Sequence, residues 1–154
     1  AFTPEELNLP DEKWKVRLPS EAEWERAARH TDGRDFPWDP QDKADPVSRC
    51  NCFETGLGQT SAVGLFPSGK AVCGALDMAG TVWEWTRSAH RKYPYDSGDG
   101  REKLDAEGAR VLRGGSWGDY AGNARCAVRG RDGPDGRDGP VGFRLVASPF
   151  FSEL

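Results

Sequence analysis

The sequence predicts an α+β protein with little regular structure. Two observations predict it: one well-capped helix near the start, and three short strand-like runs separated by turn-rich segments. The 154 residues include 19 glycines and 11 prolines, the composition of a chain dominated by turns and loops. Six tryptophans point to a core knit by large aromatics beneath those loops. The length suits one domain spanning residues 1–154.

The helix begins after Ser20, whose hydroxyl can cap free N–H groups. Glu23 stands three residues on, as a capping box requires. Trp24, Ala27 and Ala28 then share one face at helical spacing. The helix should fade near Thr31, Asp32 and Gly33, leaving His30 as a solvated helix-end residue. Residues 36–74 read mostly as loop. Residues 81–86, TVWEWT, alternate like a strand, with Val82 and Glu84 on one side and Trp83 and Trp85 on the other. Residues 87–108 are polar and read as a surface loop. Residues 109–117 read as a strand entering a tight turn at Gly114 and Gly115, and residues 141–146 as a closing strand.

The net charge of -4 argues against nucleic acid or an acidic membrane as a partner, since both select a basic surplus. No apolar run approaches the ~20 residues of a membrane helix. The opening AFTPEELNLP has neither the basic start nor the apolar stretch of a signal peptide. Cys50, Cys52, Cys73 and Cys126 lack the paired knuckles of a zinc site. Buried free thiols in a cytoplasmic protein or one or two disulfides both remain open.

Four blocks occur in a telling order: RLPSEAEWE at 17–25, DMAGTVWEW at 77–85, RVLRGGSW at 110–117 and VGFRL at 141–145. Together they resemble the formylglycine-generating-enzyme, or sulfatase-modifying-factor, family. The resemblance implies a C-type-lectin-like fold. It also implies that the family's N-terminal strand and helix are missing ahead of residue 17.

The family's oxidases hold copper through two cysteines four residues apart, shortly after the Gly-Gly-Ser block. Soft thiolates suit Cu(I). The matching stretch here, 118–125, contains no cysteine, and Cys126 stands alone. No copper and no enzymatic activity are therefore expected. Iron-dependent sulfoxide synthases of this fold take their histidines from another domain, and His30 and His90 form no H-x-x-x-H pattern. The resemblance further implies a structural Ca²⁺ held by the side chains of Asp77 and Glu84 and the carbonyls of Gly80 and Val82, hard oxygen donors that suit the ion. A second family calcium site maps near residues 51–57, where the expected acid falls at Thr55. The alternative at the first site is a structural turn with Glu84 in an ion pair.

Residues 118–140 are peculiar. Glycine recurs at every third position from Gly130 to Gly142, but the run is too short for collagen and sits inside a framework. An acidic calcium loop through Asp132, Asp135 and Asp138 is one alternative. A different reading explains the residue types. Asp, Ser, Gly and Tyr are what Asn codons become when their adenines are exchanged. With Asn restored, the stretch resembles the variable region of diversity-generating-retroelement target proteins, many of which use this lectin-like scaffold. This reading makes the chain a ligand-binding module whose partner is a protein or other macromolecule. Its contact residues are Gly118, Asp119, Tyr120, Gly122, Asn123, Gly130, Asp132, Gly133, Asp135, Gly136, Asp138, Gly139 and Pro140. Small polar residues and tyrosine are also what antibody-like paratopes prefer. Trp117 and Phe143 should then be core, and Arg125, Arg129, Arg131 and Arg137 should tie the loops down. The alternatives are a family oxidoreductase and a structural interaction domain of a larger protein.

Overall fold

A computed structural model describes residues 14–38, 45–137 and 139–149. The expectations for Asp138 lie outside these residues. Strand β1 (Lys15–Arg17) precedes helix α1 (Glu21–Arg29). Ser20 caps that helix as the sequence implies. Its hydroxyl accepts the Glu23 N–H at 3.2 Å, and the Glu23 carboxylate accepts the Ser20 N–H at 2.8 Å. The helix ends at His30, which turns with φ 55°.

Four strands form the main sheet: β2 (Trp83–Ala89), β3 (Arg110–Arg113), β4 (Arg129–Asp132) and β5 (Val141–Phe143). Their order is β4-β3-β2-β5. Strand β2 is antiparallel to β3 and parallel to β5. The last described strand, β6 (Val146–Ser148), pairs antiparallel with β1. The predicted closing strand 141–146 is thus two strands. Arg144 leaves the sheet between them and turns inward to the Glu84 carboxylate.

Helix α1 lies on the inner face of the sheet. Glu84, Thr86 and Ser88 of β2 point toward it and are buried, as period-two alternation requires. Ser88 accepts the Glu21 N–H at 2.8 Å, docking the start of α1 on β2. Two apolar clusters follow. One gathers Trp24, Ala28, Ala71, Met78 and Cys126, and the other Trp38, Cys50, Cys52, Ala79 and Ala124. The long loops pack closely against one another where small residues allow it. Gly80 shows this: a Cβ there would meet the Asn51 carbonyl oxygen at 2.1 Å, and its φ is 72°. The Gly114–Gly115 turn also holds, with φ 98° and 71°.

Three expectations need correction. Phe143 is 66% exposed rather than core. The parallel register sets it beside Trp85, so it lies on the outer sheet face with Trp83 and Trp85, while Glu84 takes the inner face. Trp117 is only half-buried. The core therefore rests less on tryptophan than the composition suggests, with Trp24 and Trp38 as its buried indoles. Finally, the polar segment after β2 is not all surface. Arg101 and Glu102 are buried in it. Arg101 is clamped by Asp99, and the Glu102 carboxylate accepts the hydroxyls of Ser88 and Tyr95.

Candidate ligand-binding surface

Apart from Asp138, residues 118–140 form a rim that runs from the turn after Trp117 through the edge strand β4 to the start of β5. Many expected contact positions are open: Gly118, Tyr120, Gly122, Asn123, Gly133, Asp135 and Gly139 are exposed. Nothing lies within 4 Å of a Cβ placed on Gly122, Gly133 or Gly139, although Gly139 carries φ 74°. At Gly136 the nearest atoms a Cβ would meet are those of the Asp132 carboxylate, the far end of a side chain that can swing away. Gly130, Asp132, Gly136 and Pro140 are half-buried. Pro140 also has a framework task, since its carbonyl accepts the Trp83 N–H at 2.9 Å.

Asp119 carries structure as well as surface. Its carboxylate accepts the Trp83 indole N–H at 2.8 Å and the Ser116 hydroxyl. Its carbonyl accepts the Phe53 N–H at 2.8 Å. Tyr120, 65% exposed, stands beside the exposed Phe53 ring with centroids 5.1 Å apart. The Glu54 carboxylate accepts the Ala121 N–H at 3.0 Å. The segment Phe53–Thr55 thus braces the first half of the rim and adds an aromatic ring to it. Sequence reasoning missed this role, because nothing local in residues 53–55 marks a contact 65 residues or more away.

The residues between the open positions are anchored. Ala124 and Cys126 are buried. Arg129 donates to both oxygens of Glu21, at 2.5 and 2.8 Å, and stacks over the Tyr93 ring. Glu21 is itself 1% exposed and lies 3.6 Å from the guanidinium of Arg113, a fully buried side chain. Arg113 also donates to the Val128 carbonyl and to Glu25. Arg125 donates to the Gly122 carbonyl at 3.0 Å. Arg131 and Arg137, expected as further ties, are exposed instead. Arg131 lies on β4, a sheet edge, and Arg137 in the loop that follows it.

The expected calcium donors are engaged otherwise. Arg144 donates to both oxygens of Glu84, at 2.5 and 2.6 Å, and to the Asp77 carbonyl at 3.0 Å. The Trp24 indole N–H donates to Glu84 at 2.6 Å. Asp77 accepts the Gly64 N–H at 2.7 Å, and the Gly80 carbonyl accepts the Val82 N–H at 2.9 Å. With the guanidinium on both Glu84 oxygens and the Asp77 side chain turned to Gly64, these residues as arranged do not fit Ca²⁺. At the second mapped site, Thr55 donates its hydroxyl to the Asn51 side chain and the Cys52 carbonyl. Among the described residues no group of three or more His, Cys, Asp or Glu side chains gathers as a metal centre. Cys50, Cys52 and Cys126 are buried free thiols and Cys73 is exposed. Burial pushes the Cys126 thiol up to about 12, and burial raises Cys50 and Cys52 as well.

A capped helix on a short mixed sheet, with long loops carrying the surface, defines the class: a loop-rich, C-type-lectin-like α+β scaffold. Residues 8–149 match the sulfatase-modifying factor enzyme 1-like domain, and the chain belongs to that family. It is similar to hercynine oxygenase of Mycobacterium tuberculosis, at 35% identity over 85% of this chain and 32% of that protein. It is also similar to the formylglycine-generating enzyme of the same organism, at 34% identity over 86% of this chain and 51% of that one. Among solved structures, Treponema denticola variable protein 1 superposes with a TM-score of 0.69 at 28% identity, covering 84% of this chain and 46% of that one. The chain thus spans from about a third to about half of the length of these relatives.

The expectation that the chain is not an enzyme is overturned by two of these relatives, which are named as enzymes. A missing thiol pair after the Gly-Gly-Ser block speaks to one copper chemistry only. It does not speak for every activity built on the scaffold. Among the described residues no helix is long and apolar enough to cross a membrane.

Proposed function

We propose that residues 118–140 are a diversified ligand-contacting surface carried on this scaffold, and that the ligand is a protein or another macromolecule. One observation carries the reading: within a single stretch, open positions alternate with anchored ones. Gly122 and Gly133 face open space, while Ala124, Cys126 and Arg129 between them are tied to the core and to α1. Exchange at the first set leaves the second intact, which is how loops on a rigid scaffold vary without unfolding it. The Asp, Gly and Tyr identities, one or two adenine exchanges from Asn, support the same reading. So does the likeness to a solved variable protein. Sequencing the DNA beside the gene tests it. A near-repeat with adenines at the codons of these positions and a reverse-transcriptase reading frame are expected. Flanking DNA with neither overturns the proposal.

A second reading is favoured by the oxygenase relatives. The chain matches a third of hercynine oxygenase, so the same surface can serve as the substrate-facing part of an oxidoreductase whose reacting groups lie elsewhere in a longer polypeptide. No step of that chemistry is assigned to residues 118–125, which contain no cysteine.

A further inference from the structure

Trp83 lies outside the diversified stretch, on β2, yet both halves of that stretch touch its indole. From one side, Asp119 accepts the indole N–H at 2.8 Å. The same carboxylate is held by the Ser116 hydroxyl, so the acceptor is fixed in place. From the other side, Gly130 faces the ring. A Cβ at position 130 would lie 3.2 Å from Cε3 and from Cζ3 of Trp83, and 3.3 Å from the Leu112 Cβ. Leu112 is buried in β3 and pairs with Gly130 across the ladder, so it cannot retreat. Trp83 is half-buried and has the freer path. The contrast with Gly122 and Gly133, which meet nothing within 4 Å, singles out position 130.

We propose that Trp83 is a positioning residue that couples the two diversified segments. Resting on the display reading, this adds that positions 119 and 130 vary as one surface rather than as two. Any side chain at 130 displaces the indole by a few tenths of an ångström or more. The displacement lengthens the bond to Asp119. That bond orients the 118–121 turn, where the Asp119 carbonyl also holds Phe53 and Tyr120 stands beside the Phe53 ring. Conversely, an exchange at 119 that removes the acceptor frees the indole, and position 130 then tolerates a larger residue. A fixed tryptophan at the junction lets a small change in one loop alter the shape of the other.

The test reads the Trp83 indole N–H directly by proton–nitrogen correlation spectra of the ¹⁵N-labelled chain, assigned by its loss in Trp83→Phe. Gly130→Asn should move this resonance and the Asp119 and Ala121 amides, and should speed indole hydrogen exchange about tenfold or more. Gly130→Ala, a gentler variant, should move the same resonances by less. Asp119→Ala should abolish the indole response to Gly130→Ala, whereas Asp119→Asn, which keeps an acceptor oxygen, should restore it. Gly133→Asn is the control and should leave the indole unmoved. An indole resonance unchanged in both Gly130 variants, or moved equally by Gly133→Asn, overturns the coupling. Melts of Gly122→Asn and Gly133→Asn report separately on the display reading. If those variants unfold, that reading fails, while the indole measurement still decides the coupling.

Discussion

The guanidinium of Arg144 closes on the carboxylate of Glu84 with two hydrogen bonds, at 2.5 and 2.6 Å. Glu84 is buried and also holds the Trp24 indole, so this pair joins the chain's closing segment, the central strand and the helix. Removing the guanidinium leaves the buried Glu84 carboxylate with only the Trp24 indole, so Arg144→Ala should cost about 3–5 kcal/mol. Because the guanidinium fills the cation's place, neither millimolar calcium nor a chelator should shift the melting temperature. Calorimetry with each addition checks this, and a calcium-dependent rise would restore the metal reading.

Two arginines between residues 118 and 140 should behave oppositely. Arg129 neutralises Glu21, which is 1% exposed. Arg129→Ala should therefore destabilise by about 3 kcal/mol, most of it the cost of leaving that carboxylate with no partner nearer than Tyr93 and Arg113. Arg137 is exposed, and Arg137→Ala should stay within about 0.5 kcal/mol. Urea unfolding of the two variants measures the difference.

Acid should weaken the start of α1. Glu23 is held down to about 2, first by the hydrogen bond from Arg17 and then by its bonds with Ser20. An unfolded Glu titrates near about 4.3. The folded value is the lower one, so this contribution is present above about pH 4.3 and is lost as pH falls toward about 2. Glu23→Gln should remove that part of the acid slope. The two melting curves should then differ at neutral pH and converge near about pH 2. A constant gap across that window would contradict the assignment.

Native-state alkylation should modify Cys73 alone. The thiolate is the reactive form, and burial raises Cys50, Cys52 and Cys126 away from it. Mass spectrometry should find one label on the folded chain and four after denaturation. Rapid labelling of Cys126 would mean that its cluster with Trp24 and Met78 is open.

Local signals in the sequence carried the helix and the strand alternation. The Ser20–Glu23 capping box and the inward Glu84 with outward Trp83 and Trp85 are set by neighbours in the chain. What the sequence hid depends on pairing across distance. The inversion of Phe143 follows from a parallel register with β2, and the split at Arg144 from a carboxylate 60 residues away. The Arg144–Glu84 pair met the same obstacle, since no local pattern announces that these two residues will meet. Many positions of the candidate surface are exposed, in keeping with their small polar residue types. Its brace at Phe53 and the double duty of Asp119 were not legible, because both are contacts between loops.

The central claim is that residues 118–140 present exchangeable positions on an unexchangeable frame. Its most direct test is a thermal melt of one variant carrying Asn at Gly118, Gly122, Gly133 and Asp135, compared with Trp24→Ala. Each of the four Asn exchanges lies at an exposed position and should stay within about 0.5 kcal/mol. Trp24 is buried at the centre of a core cluster, and its truncation should cost about 3–5 kcal/mol. The account predicts a fourfold variant that melts close to the parent, far above Trp24→Ala. A fourfold variant that melts as low as Trp24→Ala would show that the stretch holds the fold together, and the display surface would have to be given up.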